Sequence, residues 1–230
     1  MLNRRLKTVS DYIVGDSLVD IGSDHAYLPI YAVNEKIIKT AICGEIARGP
    51  YDSSVKNVQQ NQLSDVIKIR LGDGLSVLRS MDDADTITIC GMGGPLIASI
   101  IETGMKFVQG TPRFIVQANT YPYPIRKIMA EHNYKITDEL QLKDGPHFYD
   151  IIVFDYAEET VEYGEAELRF GPVNIEKREP VFIAQLEREK SHIEKILNGI
   201  NDREKNIDKV VRLESNLKYV DEVLENVKDK

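Results

Sequence analysis

Through the first 155 residues, short apolar runs rich in β-branched side chains alternate with longer amphipathic stretches. A mainly parallel sheet covered by helices on both faces imposes that rhythm, because strands buried on both faces read as continuous apolar runs. The pattern predicts strands at 18–22, 40–45, 66–71, 86–91, 113–117, 134–142 and 149–156. It predicts helices at 2–14, 27–37, 49–61, 94–108 and 122–132, with Pro124 in a first helical turn, where its missing N–H costs nothing. The segment from Leu142 to His147 is too short for a crossover helix, so the last two strands form an antiparallel pair.

After Gly171-Pro172 the pattern changes to highly charged sequence with apolar residues at helical spacing. Ile183, Leu186, Ile193, Leu197, Ile200 and Ile207 follow a 3/4 alternation. Val210, Leu213, Leu217, Val220, Leu224 and Val227 resume it in a shifted phase. Asn198-Gly199 followed by Asn201-Asp202 offers a helix stop and then a cap. Two antiparallel helices in a coiled-coil hairpin are therefore favoured over one rod of about 75 Å. The stripes pack the hairpin on itself, so a monomer is expected, with a dimer left open. The domain reading is a catalytic part at 1–160, an acidic connector at 161–175 and a helical part at 176–230.

Charge sharpens this division. The formal net charge of −8 over 230 residues argues against indiscriminate nucleic-acid binding, whose affinity comes from neutralised phosphates. It splits into −2 over 1–150, −5 over 151–175 and −1 over 176–230, so the acidity is a local block. No apolar run is long enough for a membrane span, and Arg4, Arg5, Lys7 and Asp11 stand where a signal peptide would be apolar. Cys43 and Cys90 are the only cysteines, with no metal-ligand spacing and no disulfide framework, which suits a reducing cytoplasm. No metal and no membrane partner are expected.

Candidate chemistry gathers at the ends of successive predicted strands, where open α/β sheets place ligands. Asp20, Gly22, Asp24, His25 and Tyr27 follow the first strand, Glu45 ends the second, Asp73 and Gly74 follow the third, and Cys90, Gly91, Met92 and Gly93 end the fourth. Glu45 is placed to accept both hydroxyls of a ribose, and Asp73 suits an adenine amino group. A dinucleotide site fits poorly, because the first turn lacks G-x-G-x-x-G and carries a carboxylate where a pyrophosphate would be repelled. The cationic S-adenosylmethionine, with an α-ammonium and a sulfonium beside ribose and adenine, uses Asp20 or Asp24, then Glu45, then Asp73 in strand order. Each carboxylate alone reads as a helix cap or a surface charge, but three at consecutive strand ends read as a set.

The strings DIGSDHAYLP, ICGMGG and QANTYPYPIR, with the GE pair, the GDGL turn and the RFGP element at 169–172, together resemble the bacterial tRNA (adenine-N1) methyltransferases that modify adenosine 22. The resemblance runs over nearly the whole chain. It implies a Rossmann-like class I methyltransferase sheet of seven strands, the last antiparallel, followed by a C-terminal coiled coil. It also implies S-adenosylmethionine as cofactor and tRNA as substrate. The competing expectations are a methyltransferase for another nucleic acid or a small molecule, and a non-catalytic cofactor-binding protein whose coiled coil recruits a partner.

N1 of neutral adenine holds an in-plane lone pair, so the reaction asks for alignment and for a base drawn out of its stack. Asn119 is a candidate amide reader of N6, and Tyr121, Tyr123 or Tyr27 a stacking face. Asp24 or His25 is a candidate to take up the N6 proton or to stabilise the cationic product, although His25 is equally well a cap. Cys90 reads as a small buried residue rather than a nucleophile. Arg4, Arg5, Lys7, Arg126 and Lys127 are candidates for a local tRNA-binding patch.

Overall fold

The computed structural model describes residues 2–225 and divides into two units, Met1–Tyr163 and Gly164–Lys230. The first unit runs α1 (Arg4–Ser10), β1 (Ser17–Ile21), α2 (Tyr27–Asn34), β2 (Thr40–Glu45), α3 (Arg48–Gln60) and β3 (Ile67–Leu71). It continues through β4 (Thr86–Gly93), α4 (Gly94–Gly104), β5 (Arg113–Thr120), α5 (Tyr123–Glu131), β6 (Tyr134–Asp144) and β7 (His147–Tyr156). The seven strands lie in the order β3-β2-β1-β4-β5-β7-β6. β7 is antiparallel to both of its neighbours, and the remaining pairs are parallel.

This is the fold expected from the apolar runs. Leu18, Val19, Ile87, Ile89, Ile115 and Val116 are all buried, as central strands covered on both faces require. The chain leaves β1 for β2 and β3 on one side and returns to β4 on the other, so the order reverses between β1 and β4. That reversal opens a crevice at the carboxyl ends of these two strands. The closing hairpin is tighter than expected: β6 and β7 extend to Asp144 and His147, and Gly145, at φ +58°, opens the two-residue turn. The predicted helix at 2–14 is shorter, at Arg4–Ser10, with the Asn3 side chain accepting from the Leu6 N–H at 2.8 Å.

The second unit holds α6 (Glu165–Phe170), α7 (Pro172–Lys177), α8 (Pro180–Asn198) and α9 (Ile207–Glu225). Phe182 and Leu186, early in α8, pack with Val220 and Val223, late in α9. Ile193 and Leu197 pack with Val210 and Leu213, so the two helices are antiparallel. The buried stripe differs in detail from the one read off the sequence. Phe182 and Val223 are in it, while Ile207, at the exposed start of α9, is 55% accessible. Val227 lies outside the described residues.

The stretch read as an acidic connector at 161–175 is helical over its second half. Glu165 and Glu167 occupy the first turn of α6, where the helix dipole favours negative charge. Glu167 also accepts the Gly164 N–H at 2.7 Å. Phe170 is buried with Phe182 and Leu186, and Arg169 pairs with Glu189.

Candidate active site

β1 delivers Asp20 to the crevice, where it is 3% exposed. Thr88 Oγ1, on neighbouring β4, donates to Asp20 Oδ1 at 2.6 Å. Burial, reinforced by the negative charges of Glu45 and Asp24, raises the Asp20 carboxyl to about 6 even though the hydrogen bond from Thr88 opposes the shift. After β1 the chain turns sharply. Gly22 has φ +68°, and a Cβ there would lie 2.2 Å from Met92 Cε, so glycine allows the turns after β1 and β4 to touch. Asp24, His25 and Ala26 then follow with φ of 41°, 67° and 56°. Three consecutive left-handed residues other than glycine cost roughly 1–2 kcal/mol each. One tether is Asn57 of α3, whose side-chain amide donates to the His25 carbonyl at 2.7 Å.

Glu45, closing β2, is buried. It accepts from Ser54 Oγ at 3.3 Å and from the Asp24 backbone N–H, while burial raises its carboxyl above the usual range. Among the described residues no basic side chain forms an ion pair with Asp20 or Glu45. Asp73, after β3, is exposed and begins the 3-10 turn Gly74–Val77. Gly74, at φ +51°, brings the backbone within 2.9 Å of Ile100 Cγ2, measured from where a Cβ would stand.

β4 and β5 pair as far as Gly93 and Thr120, with an irregularity around Gly91, whose φ is +81°. The Gly91 N–H donates to Gln117 Oε1 at 2.9 Å and its carbonyl accepts from Asn119 Nδ2 at 2.7 Å. Asn119, expected in a loop, therefore closes a strand. Its Oδ1 accepts from Gln117 Nε2 and from Arg5 Nη1, at 3.2 Å and 3.3 Å. Both lone pairs of that oxygen are engaged, and the Asn119 side chain braces the Gly91 turn.

Beyond Asn119 the chain doubles back at Tyr121, φ 49°. A Cβ on Gly94 would lie 1.8 Å from the Tyr121 carbonyl, so that approach requires glycine. The Tyr121 and Tyr123 rings stack at 5.9 Å with 8° between their planes. Tyr121 is 61% exposed, leaving its outer face open. Burial pushes the Cys90 thiol well above its usual range, so it is no thiolate nucleophile at neutral pH.

A cleft of about 200 Å³ lies between these turns, lined by Arg5, Asp20, Gly22, Ser23, Asp24, Cys90, Gly91 and Met92 among others. His25 Nε2 stands 3.7 Å from Asp24 Oδ1, and Tyr27 packs on His25 with ring centres 5.4 Å apart. Arg4, Lys7 and Lys127 are exposed. Arg126 overturns the expectation of a tRNA contact: it is fully buried, with Nε donating to Glu139 Oε1 at 2.7 Å. The amphipathic pattern of its helix concealed this, because the partner lies on another element. Asn57, Ser54, Thr88, Gln117 and Tyr149 complete the site and were not singled out from the sequence. Only the polarity of Thr88 and Gln117 inside apolar strands was a signal that could have found them.

Comparison with known proteins fits this geometry. A family model described as tRNA (adenine(22)-N(1))-methyltransferase matches residues 18–222. The chain belongs to that family. A tRNA (adenine(22)-N(1))-methyltransferase of Bacillus subtilis is 36% identical over 98% of both chains. A Streptococcus pneumoniae protein solved in complex with S-adenosyl-L-methionine has a TM-score of 0.86 and 34% identity, covering 97% of this chain and 100% of its own. The TrmK protein of M. capricolum, solved with S-adenosyl-homocysteine, has a TM-score of 0.86 and 29% identity over 98% of both chains. The resemblance read from the sequence motifs is thereby confirmed as family membership.

The donor set of this methyltransferase fits the cofactor on physical grounds. Buried carboxylates without a protein cation are costly. A ligand carrying an ammonium and a sulfonium supplies the missing positive charge, whereas a pyrophosphate would add to the deficit. Among the described residues no group of three or more His, Cys, Asp or Glu could hold a metal. No helix among them is long and apolar enough to cross a membrane.

Proposed function

We propose that the protein transfers the methyl group of S-adenosylmethionine to N1 of adenosine 22 in tRNA, acting in the cytoplasm and as a monomer. The observation that carries this reading is the pair of buried carboxylates, Asp20 and Glu45, which have no ion-pair partner among the described residues in a chain of this family. When bound, the cofactor supplies a methyl group made electrophilic by its sulfonium. Asp20, with Asp24 nearby, holds the cationic amino-acid end, Glu45 the ribose and Asp73 the adenine. Gly22, Gly74, Gly91 and Gly93 let the backbone approach closely, and Met92 covers the turn at Gly22.

Because N1 of neutral adenine is already nucleophilic, the residues contribute mainly alignment, which can supply about 7–11 kcal/mol of the barrier. Tyr121 offers the flipped base an open ring face backed by Tyr123, and Tyr27, half-exposed beside His25, offers a second. Asn119 keeps the Gly91 turn in shape beneath them. Asp24 and His25, both accessible, stabilise the positive charge that develops on the methylated base. Arg4, Lys7 and Lys127 provide phosphate contacts local enough to coexist with the net charge of −8.

The tRNA substrate and the free thiols Cys43 and Cys90 support the cytoplasm. The mutual burial of the α8 and α9 stripes supports a monomer. Incubation with methyl-labelled S-adenosylmethionine and unmodified tRNA, followed by nucleoside mapping, tests the reading. Label in 1-methyladenosine at position 22 is expected. Label at another nucleoside or no incorporation would refute it.

A further inference from the structure

From the sequence, Arg5 belongs to a basic helix facing RNA. Its surroundings are instead those of a ligand pocket. Arg5 is half-buried and lines the cleft together with Asp20, Ser23, Cys90 and Gly91. Its guanidinium stands over the Tyr149 ring, 5.2 Å from the centroid, and Nη1 donates to Asn119 Oδ1 at 3.3 Å. These contacts hold the group in place without neutralising it. Among the described residues no carboxylate pairs with Arg5, and a guanidinium carries five N–H donors, of which this arrangement spends one.

The cleft thus has an acidic side and a basic side. At about 200 Å³ it falls below the range usual for a whole small-molecule site, so it suits one end of an extended ligand. An α-amino acid has this polarity, with an ammonium and a carboxylate on one carbon. A tRNA phosphate would have to enter past Asp20 and Asp24, whose charges repel it.

We infer that Arg5 is the cofactor-binding residue that takes the α-carboxylate of the methionine end, with Asp20 in the same cleft for the ammonium. This rests on the methyltransferase reading above. The planar guanidinium suits a carboxylate through paired hydrogen bonds, and its contacts with Tyr149 and Asn119 tie cofactor seating to the strand end that carries the tyrosine loop.

The test is a chemical double-mutant cycle read by calorimetry. S-adenosylhomocysteine and its decarboxylated counterpart are titrated into wild type, Arg5→Gln and Arg5→Lys. Wild type is expected to prefer the carboxylated ligand by about tenfold or more. Arg5→Gln should bind the two within about twofold, with no change in the salt dependence of tRNA binding, and Arg5→Lys should keep part of the preference. A preference that survives intact in Arg5→Gln overturns the inference, as does a wild type that binds both ligands equally. If thermal melting shows Arg5→Gln unfolded, Arg5→Lys decides: an undiminished preference there overturns the inference. Binding of neither ligand by wild type would instead sink the methyltransferase reading.

Discussion

Two buried charge clusters lie toward the same edge of one sheet, and they are built on opposite principles. At β1 and β2, Asp20 and Glu45 are buried with hydroxyl and amide donors only. At α5, β6 and β7, Arg126 donates to Glu139 at 2.7 Å, and its charge opposes the upward shift that burial imposes on Asp150, which also accepts from Gln141 at 2.9 Å. The second cluster has its counter-charge within the chain. Among the described residues the first makes no ion pair, and a cationic ligand would supply one. Buried acids ion-paired to an arginine read as architecture, whereas buried acids that make no ion pair, although Arg5 lines the same cleft, read as a site.

The largest expected effect comes from breaking the self-sufficient cluster. Arg126→Met leaves Glu139 and Asp150 buried without their cation and should destabilise the protein by about 3–5 kcal/mol, measured by urea unfolding. Adding Glu139→Gln should recover part of that loss. Full stability in the single variant would erase the distinction between the clusters.

Asp20→Asn should do the reverse at the open cluster. The carboxyl titrates near 6 in the folded protein against 3.8 when unfolded, so above pH 6 the native state holds a charge that burial disfavours. Removing it should stabilise the apoprotein at pH 8 by about 1–3 kcal/mol and leave stability nearly unchanged below about pH 3, where both states are largely protonated. Cofactor affinity should fall by about a hundredfold. Equilibrium unfolding at two pH values with calorimetry of S-adenosylhomocysteine checks both signs, and a destabilised variant with normal affinity would make Asp20 architectural.

This contrast also marks what the sequence could convey. The strands were legible because LVDIG and TITIC are apolar on both faces, and the strand-end carboxylates stood out because acids there have few other uses. Arg126 was not legible: its partner Glu139 lies thirteen residues away on an alternating strand, and nothing local separates a buried arginine from a solvated one. The role of Asn119 was hidden by the irregularity at Gly91, which extends β5 to Thr120. The helices at 165–177 were hidden by acidity that belongs to the first turn of α6.

A pH series sharpens the comparison without mutation. If ionised Asp20 receives the cofactor's ammonium, protonation competes with binding, and the raised carboxyl places that competition near pH 6. Affinity for S-adenosylhomocysteine should be constant from pH 8 to 7 and fall about tenfold by pH 5. Glu45, also raised, can deepen the loss but not reverse it. The fall should be much shallower in Asp20→Asn, and a flat wild-type profile would remove Asp20 from the binding reaction.

The smallest effect concerns how the open cluster is held. Asn57 makes a hydrogen bond to the His25 carbonyl, at 2.7 Å, within the left-handed run that carries Asp24 past Glu45. Asn57→Ala removes that tether and should cost about 1 kcal/mol. If the strain is local to this loop, global stability should change little, because the turn can relax while the sheet stays folded. The loss should appear in binding, as a five- to tenfold weaker cofactor affinity with an unchanged urea midpoint. The opposite split, a lower midpoint with intact affinity, would show that Asn57 braces α3 against the sheet and that the Asp24 turn holds its shape unaided.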